Sequence, residues 1–212
     1  MLSSMKKIWL IFIRSPLILG LIVLFLIFLY ICTSTGLLVR YFFLIPLPII
    51  VAPFYEWMMH KYVLHANLSE KFRYLRDFQI RLHHQHHKTP ENVRFQFAPW
   101  EAVVLHLLQS YLLFALVTWS FSRALVPFTA GILYYLFYEW IHLAHHTPGY
   151  KPLTEIGQRL KRAHMRHHFY NENYCWGITN YLADKCLHTF KETNDIDKSE
   201  TTRNIAGYVD HS

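Results

Sequence analysis

The sequence predicts an all-α integral membrane protein: a bundle of four transmembrane helices with a cytoplasmic cap of histidine-rich helices. Three observations predict it. The 212 residues are 53% hydrophobic and only 17% charged, with a mean hydropathy of +0.14, a composition unlike that of a disordered or ordinary soluble chain. Four stretches are apolar enough to cross a hydrocarbon core about 30 Å thick, which takes about 20 helical residues. Fifteen histidines are present, most of them in short clusters beside or between those stretches.

The first span is expected over about residues 8–32. Pro16 to Cys32 carries no charge, and Ile8–Ile13 extends the run upstream. Lys6 and Lys7 would also suit the basic start of a cleaved signal peptide. However, the apolar run is too long for one, and Thr33–Gly36 leads straight into another apolar run. The second span, about 37–59, contains Pro46, Pro48 and Pro53, which are tolerated where neighbouring helices satisfy the freed carbonyls. The third and fourth lie at about 102–121 and 124–144. The links Thr33–Gly36 and Ser122–Arg123 are short enough to force antiparallel hairpins. Residues 1–191 thus read as one membrane domain. The segment 192–212 is polar, lacks apolar periodicity and is expected to be mobile.

Sidedness follows from lysine and arginine. Of the 21 such residues, only Arg40 and Arg123 lie near the two tight links. Basic segments stay cytoplasmic, so both termini and the segment 60–101 are expected there, in either a bacterial inner membrane or the endoplasmic reticulum. The net charge of +7 is then a topology signal. No recognition module accompanies it that would suggest nucleic acid. Three cysteines without a CxxC pair argue against a disulfide framework or a cysteine zinc finger. No glycine-rich phosphate loop is present.

Ten histidines form four clusters: His60 and His65; His83, His86 and His87; His142 and His146; and His164, His167 and His168. On a helix, residues i, i+3 and i+4 share a face, so each H-x2-HH is expected to aim three imidazoles at one point, and His142 and His146 also share a face. His60 and His65 do not: five residues at about 100° each leave them roughly 140° apart on a regular helix. Either the helix is distorted near Pro53 or they serve different metals. Phe54-Tyr55-Glu56-Trp57 recurs as Phe137-Tyr138-Glu139-Trp140, each copy ahead of a histidine pair, and the same gap then precedes each H-x2-HH. The chain reads as two similar halves pooling five histidines each around two metals.

Histidines at a membrane edge are ordinarily just solvated, but ten at this spacing match ligand patterns. Neutral imidazole suits Zn, Fe, Cu and Ni. Zinc has no redox chemistry, so an oxidative enzyme would need iron. Two divalent ions on neutral ligands leave about four positive charges, which Glu56 and Glu139 could help to balance. Either could instead accept the second ring N–H of its neighbouring histidine, His60 or His142, or snorkel to the interface.

These clusters resemble those of the fatty acid hydroxylase superfamily of histidine-rich diiron membrane oxygenases, over roughly residues 40 to 191. Within it, His86-His87-Lys88-Thr89-Pro90 is similar to the HHK-x-P segment of fatty acid 2-hydroxylases. Leu160–Phe169, Gly177-Ile178-Thr179, Asp184 and Cys186–Phe190 are similar to their C-terminal signature. The resemblance implies metal roles for His60, His65, His83, His86, His87, His142, His146, His164, His167 and His168. It implies two iron ions, which zinc could replace in purified protein. His84 and His145 sit beside the clusters and could each replace a neighbour as ligand. His106 and His188 read as structural. Members of the group often carry a fused haem domain, and no His-Pro-Gly-Gly motif occurs here. Electrons are therefore expected from a separate b-type cytochrome or ferredoxin.

The expected function is O2-dependent hydroxylation of a lipid acyl chain in the bilayer, most simply at the 2-position. The alternatives are a sterol or carotenoid hydroxylase or desaturase on the same scaffold and, more remotely, a metal transporter or metal-binding membrane protein. Transport sites tend to lie at the bilayer midplane between broken helices, whereas these ligands gather at one edge.

Overall fold

The computed structural model describes residues 2–207. The described residues form helices and connecting turns with no β-strand. In order the α-helices are α1 (Leu2–Arg14), α2 (Pro16–Ser34), α3 (Leu37–Arg40), α4 (Leu47–Met59), α5 (Arg73–Gln79), α6 (Gln85–Lys88), α7 (Trp100–Thr118), α8 (Phe121–His146), α9 (Glu155–Phe169) and α10 (Leu182–Cys186). Four stretches are long and apolar enough to cross a membrane: Pro16–Ser34, Phe42–Leu64, Val93–Thr118 and Phe121–His146.

The first span starts later than expected. Ser15 is extended (φ −70°, ψ 123°) and Pro16 opens α2. A residue before proline avoids helical dihedrals, and proline is favoured at the first helical position. Ile8–Ile13 therefore belongs to α1, a separate helix that ends at Arg14. Between α7 and α8 the link is Trp119–Ser120 rather than Ser122–Arg123. Trp119 takes a left-handed conformation (φ 51°) that reverses the chain there.

The chain divides into two compact units. One comprises Trp9–Ala52 and Pro99–Trp140. Here α2 approaches α7 closely at Gly20, where a Cβ would fall 2.5 Å from the Trp100 ring. Phe28 meets Phe128 edge to face with centroids 5.1 Å apart, and Cys32 Sγ lies 3.5 Å from Thr129 Oγ1. Trp140 packs against Trp9 and Phe12. Val23, Leu26, Leu108, Leu112 and Leu116 remain exposed, as suits helices whose outer faces meet lipid tails.

The other unit comprises Met1–Ile8, Pro53–Ala98 and Ile141–Ser212. Its interior is built of imidazoles more than of aliphatic side chains: His60, His84, His86, His87, His164, His167 and His168 are all at most 2% exposed. Helix α9 starts at Thr154, whose Oγ1 accepts from the Gly157 N–H at 3.1 Å and so satisfies one of the helix's free donors.

The segment from residue 192 onward departs from the mobile tail expected of it. Up to residue 207 it is folded onto the histidine unit; residues 208–212 lie outside the described residues. Tyr170 Oη donates to the Thr193 and Ile196 carbonyls at 3.2 and 3.3 Å. The Ser199 N–H donates to the Tyr170 carbonyl at 2.8 Å, and Thr202 and Ile205 are buried. The segment has no apolar period to betray this, because side-chain-to-backbone hydrogen bonds hold it rather than an amphipathic face.

Candidate metal centre

A local change of helix type resolves the placing of His60 and His65. Beyond Met59, helix α4 continues as a π-helical turn, His60–Leu64, closed by a His65 N–H to His60 carbonyl bond of 3.1 Å. The i→i+5 pitch adds one residue to the turn and brings positions five apart onto one face. The two ring centroids lie 5.0 Å apart. The carbonyls freed at the end of this turn are satisfied by side chains. Gln79 Nε2 donates to the Val63 and Ala66 carbonyls at 2.7 and 2.9 Å, and His84 Nε2 to the Leu64 carbonyl at 2.9 Å. A second π turn, Ile80–His84, precedes α6.

The ten histidines singled out in the sequence come together in two groups, His60, His65, His83, His87 and His167, and His86, His142, His146, His164 and His168. Within each group the candidate ligand atoms all lie within 4.8 Å of one another. The halves of the chain do not keep their own five. Each H-x2-HH splits: its outer two histidines stay with their own half, and the middle one, His86 or His167, crosses to the other group. This corrects the expectation that each triplet aims at one point. Adjacent residues on a helix point about 100° apart, so the neighbours His86 and His87 diverge, with centroids 6.2 Å apart. His86 instead lies 4.5 Å from both His142 and His146, and His87 4.9 Å from His167. Rings of the two groups touch at His87 and His168, stacked at 4.0 Å.

The donor chemistry fits a cation in each group. Nδ1 of His60, His167 and His87 meets the carbonyls of Trp176, Tyr174 and Thr202 at 2.6, 2.8 and 3.1 Å. A carbonyl can only accept, so Nδ1 carries the proton and Nε2 of a neutral ring keeps its lone pair. The Nε2 atoms of His60 and His65 lie 3.1 and 2.9 Å from His83 Nε2. In the second group the Nε2 pairs His142–His86 and His146–His164 lie at 2.9 and 2.8 Å. Two ring nitrogens at such a distance can share only one proton. Burial first, and then the mutual repulsion of neighbouring imidazolium charges, hold His83, His86, His87, His164 and His168 well below the ordinary histidine value of 6.5. At neutral pH these rings are neutral lone-pair donors, the form that metals bind.

The role expected of the two glutamates is corrected. Glu56 does not receive the second N–H of His60. Its carboxylate accepts instead from the Ile178 and Thr179 backbone N–H groups, the latter at 3.0 Å, and from Thr179 Oγ1 at 2.6 Å. Buried Glu139 is hydrogen-bonded by Tyr135 one turn earlier, and His142 is hydrogen-bonded to the Gln96 backbone. Backbone groups thus orient His60 and His142, where carboxylates were expected. Of the ambiguous histidines, His84 bonds to a backbone carbonyl and His145 stands outside both groups with its ring 5.5 Å from His164. His106 packs on Tyr135 in the apolar unit, and His188 is an exposed turn residue with φ 58°. Sequence reasoning misses Gln79 and the acceptor role of the Tyr174, Trp176 and Thr202 carbonyls. Backbone acceptors carry no residue signature, so no spacing marks them.

Comparison with known proteins places the chain in a family. A family model for fatty acid hydroxylase matches residues 45–189. The chain is 30% identical over 147 residues to the dihydroceramide fatty acyl 2-hydroxylase FAH1 of Arabidopsis thaliana, covering 68% of this chain and 59% of that protein. It is 30% identical over 135 residues to the fatty acid 2-hydroxylase of Homo sapiens, covering 63% of this chain and 36% of that protein. The chain therefore spans about three fifths of the plant relative and about a third of the human one. A solved structure described as full-length scs7p, with only its hydroxylase domain visible, superposes with a TM-score of 0.65 at 23% identity, over 74% of this chain and 58% of that one. At that identity the likeness is one of fold. With two thirds of its length matched by the family model and its histidines gathered as described, the chain belongs to the fatty acid hydroxylase family.

Proposed function

We propose that the protein hydroxylates the acyl chain of a membrane lipid at the carbon next to the carbonyl, using O2, two iron ions and electrons from a separate carrier. The observation that carries this reading is the convergence of ten histidines, nine of them buried, with no carboxylate in either group. The plant and human relatives are named dihydroceramide fatty acyl 2-hydroxylase and fatty acid 2-hydroxylase, which favours an acyl chain over a sterol or carotenoid and the 2-position over others.

His60, His65, His83, His87 and His167 would hold one ion, and His86, His142, His146, His164 and His168 the other. Iron, unlike zinc, supplies the redox chemistry that O2-dependent cleavage of a C–H bond requires. The protein's own share is to keep the rings neutral, aimed and dry. The Trp176, Tyr174 and Thr202 carbonyls fix the tautomers of three rings. Trp176 covers His60, His65 and His167 with ring centroids 5.4, 4.8 and 5.2 Å away. The crossing of His86 and His167 gives each group four histidines from one half of the chain and one from the other.

Four apolar spans with basic flanks support a multi-pass protein with cytoplasmic termini and a cytoplasmic histidine unit, in a bacterial inner membrane or the endoplasmic reticulum. A basic cytoplasmic face suits an acidic donor such as a b-type cytochrome or a ferredoxin. Lipid mass spectrometry of cells with and without the gene tests the reading, with His86→Ala as control. A gain of one oxygen on acyl chains, lost in the variant, is expected. A new double bond, or an unchanged lipid profile, would refute it.

A further inference from the structure

The loop after the last histidine cluster shows an unusual use of backbone donors. Four consecutive N–H groups all go to carboxylates. Trp176 N and Gly177 N donate to Asp184 Oδ1 and Oδ2 at 2.9 and 2.7 Å. Ile178 N and Thr179 N donate to Glu56 Oε1. Two hydroxyls add to the clamp, Thr189 Oγ1 to Asp184 Oδ1 and Thr179 Oγ1 to Glu56 Oε2, both at 2.6 Å. Thr189 in turn accepts from Trp57 Nε1 at 2.9 Å. Gly177 allows the tight path: a Cβ there would fall 1.9 Å from the Asn180 carbonyl oxygen and 3.0 Å from Asp184 Oδ2. With its N–H groups turned towards Asp184 and Glu56, the loop presents the Trp176 carbonyl to His60 Nδ1 at 2.6 Å.

We propose that Asp184 and Glu56 are positioning residues for the first histidine group: they clamp the loop Trp176–Thr179 so that the Trp176 carbonyl fixes the proton and the aim of His60. This rests on that group being a metal site. Neither carboxylate touches the ring it positions. Each acts through the backbone, so what matters at each is its hydrogen-bond pattern and not its charge.

That distinction makes the two residues respond differently to amide substitution. Asp184 accepts on both oxygens from donors that cannot reverse, the Trp176 and Gly177 N–H groups. An asparagine would set its NH2 against one of them. Glu56 accepts both N–H groups on one oxygen, and its other oxygen meets the Thr179 hydroxyl, which already accepts from Asn180 Nδ2 at 3.2 Å and has a second lone pair with which to accept a glutamine N–H. A glutamine at 56 can therefore keep the loop in place, whereas alanine cannot.

The test counts metal on the purified full chain loaded with Zn2+ and then challenged with graded chelator. Wild type is expected to hold two ions. Asp184→Asn and Glu56→Ala are expected to release one of the two at about 10- to 100-fold lower chelator concentration, the penalty typical of lost outer hydrogen bonds to a ligand. The second ion is expected to stay as in wild type, and Glu56→Gln to match wild type. The proposal is overturned if Asp184→Asn and Glu56→Ala keep both ions as wild type does. It is also overturned if folded variants lose both ions together, or if Glu56→Gln behaves as Glu56→Ala, which would make charge the operative property. Should Asp184→Asn fail to fold, Thr189→Val and Thr179→Val each remove one hydroxyl of the clamp. A smaller shift in the same direction is expected there, and none would overturn the proposal. Wild type without any bound metal would instead refute the metal sites themselves.

Discussion

Removing residues 199–212 separates a mobile tail from a working strap. The perturbation deletes the Thr202 carbonyl that accepts from His87 Nδ1 at 3.1 Å. It also deletes the Arg203 bond to the Lys88 carbonyl at 2.9 Å, the Ser199 bond to Glu172 at 3.0 Å, and buried Ile205. A buried donor left unpaired costs about 1–3 kcal/mol. Loss of the tail lets water reach the ring, which places this contribution at about 1 kcal/mol and the loss of metal affinity at about tenfold. Loss of Ile205 burial adds about 1.5–3 kcal/mol to the destabilisation. The truncated chain is therefore expected to insert normally and melt at lower temperature. It should release the ion of the His87 group at about tenfold lower chelator, with the other ion less affected. Metal counting under chelator challenge and thermal melting in detergent check this. A truncated chain with wild-type melting and two wild-type ions would show that the tail carries no load and that the reasoning is wrong.

Alanine at His86 or at His167 is expected to abolish hydroxylation, and each should empty a different site despite belonging to the opposite half of the chain; metal counts with the half-specific partners His146→Ala and His65→Ala check the crossing. Gly177→Ala forces a Cβ to 1.9 Å from the Asn180 carbonyl, so the loop must move, with a stability loss of at least about 1–3 kcal/mol and weaker metal binding, read from melting and chelator titration. Acid should release metal and weaken the metal-free fold: burial holds His83, His86, His87 and His164 below 6.5, so the unfolded chain binds more protons below that pH. Their stabilising contribution is full above about pH 6.5 and is lost as the pH falls; melting temperatures that stay level from about pH 7.5 to 5 would contradict it.

Much of this protein was legible in its sequence. Apolar run length specifies spans, because backbone polar groups in lipid leave the helix as the simplest solution. Cluster spacing specifies ligand candidates, because imidazoles must converge to bind an ion, and all ten candidates do converge. The break at Ser15–Pro16 is written locally, but apolar residues continue on both sides of it. The hold on the tail is not legible in the sequence, because its contacts at Tyr170, Glu172 and His87 are polar and distant along the chain.

What the sequence determined by itself was the inventory: four apolar helices, ten ligand-type side chains and the residues able to bend the chain. Tertiary structure alone decided the partnership. It placed a π turn at His60–Leu64, exchanged His86 for His167 between the groups, and aimed the Trp176, Tyr174 and Thr202 carbonyls at three rings. The physical reason is that periodicity fixes only the direction in which a side chain leaves its own helix. Which rings then meet, and which carbonyl holds their protons, depends on how segments up to 116 residues apart fold together.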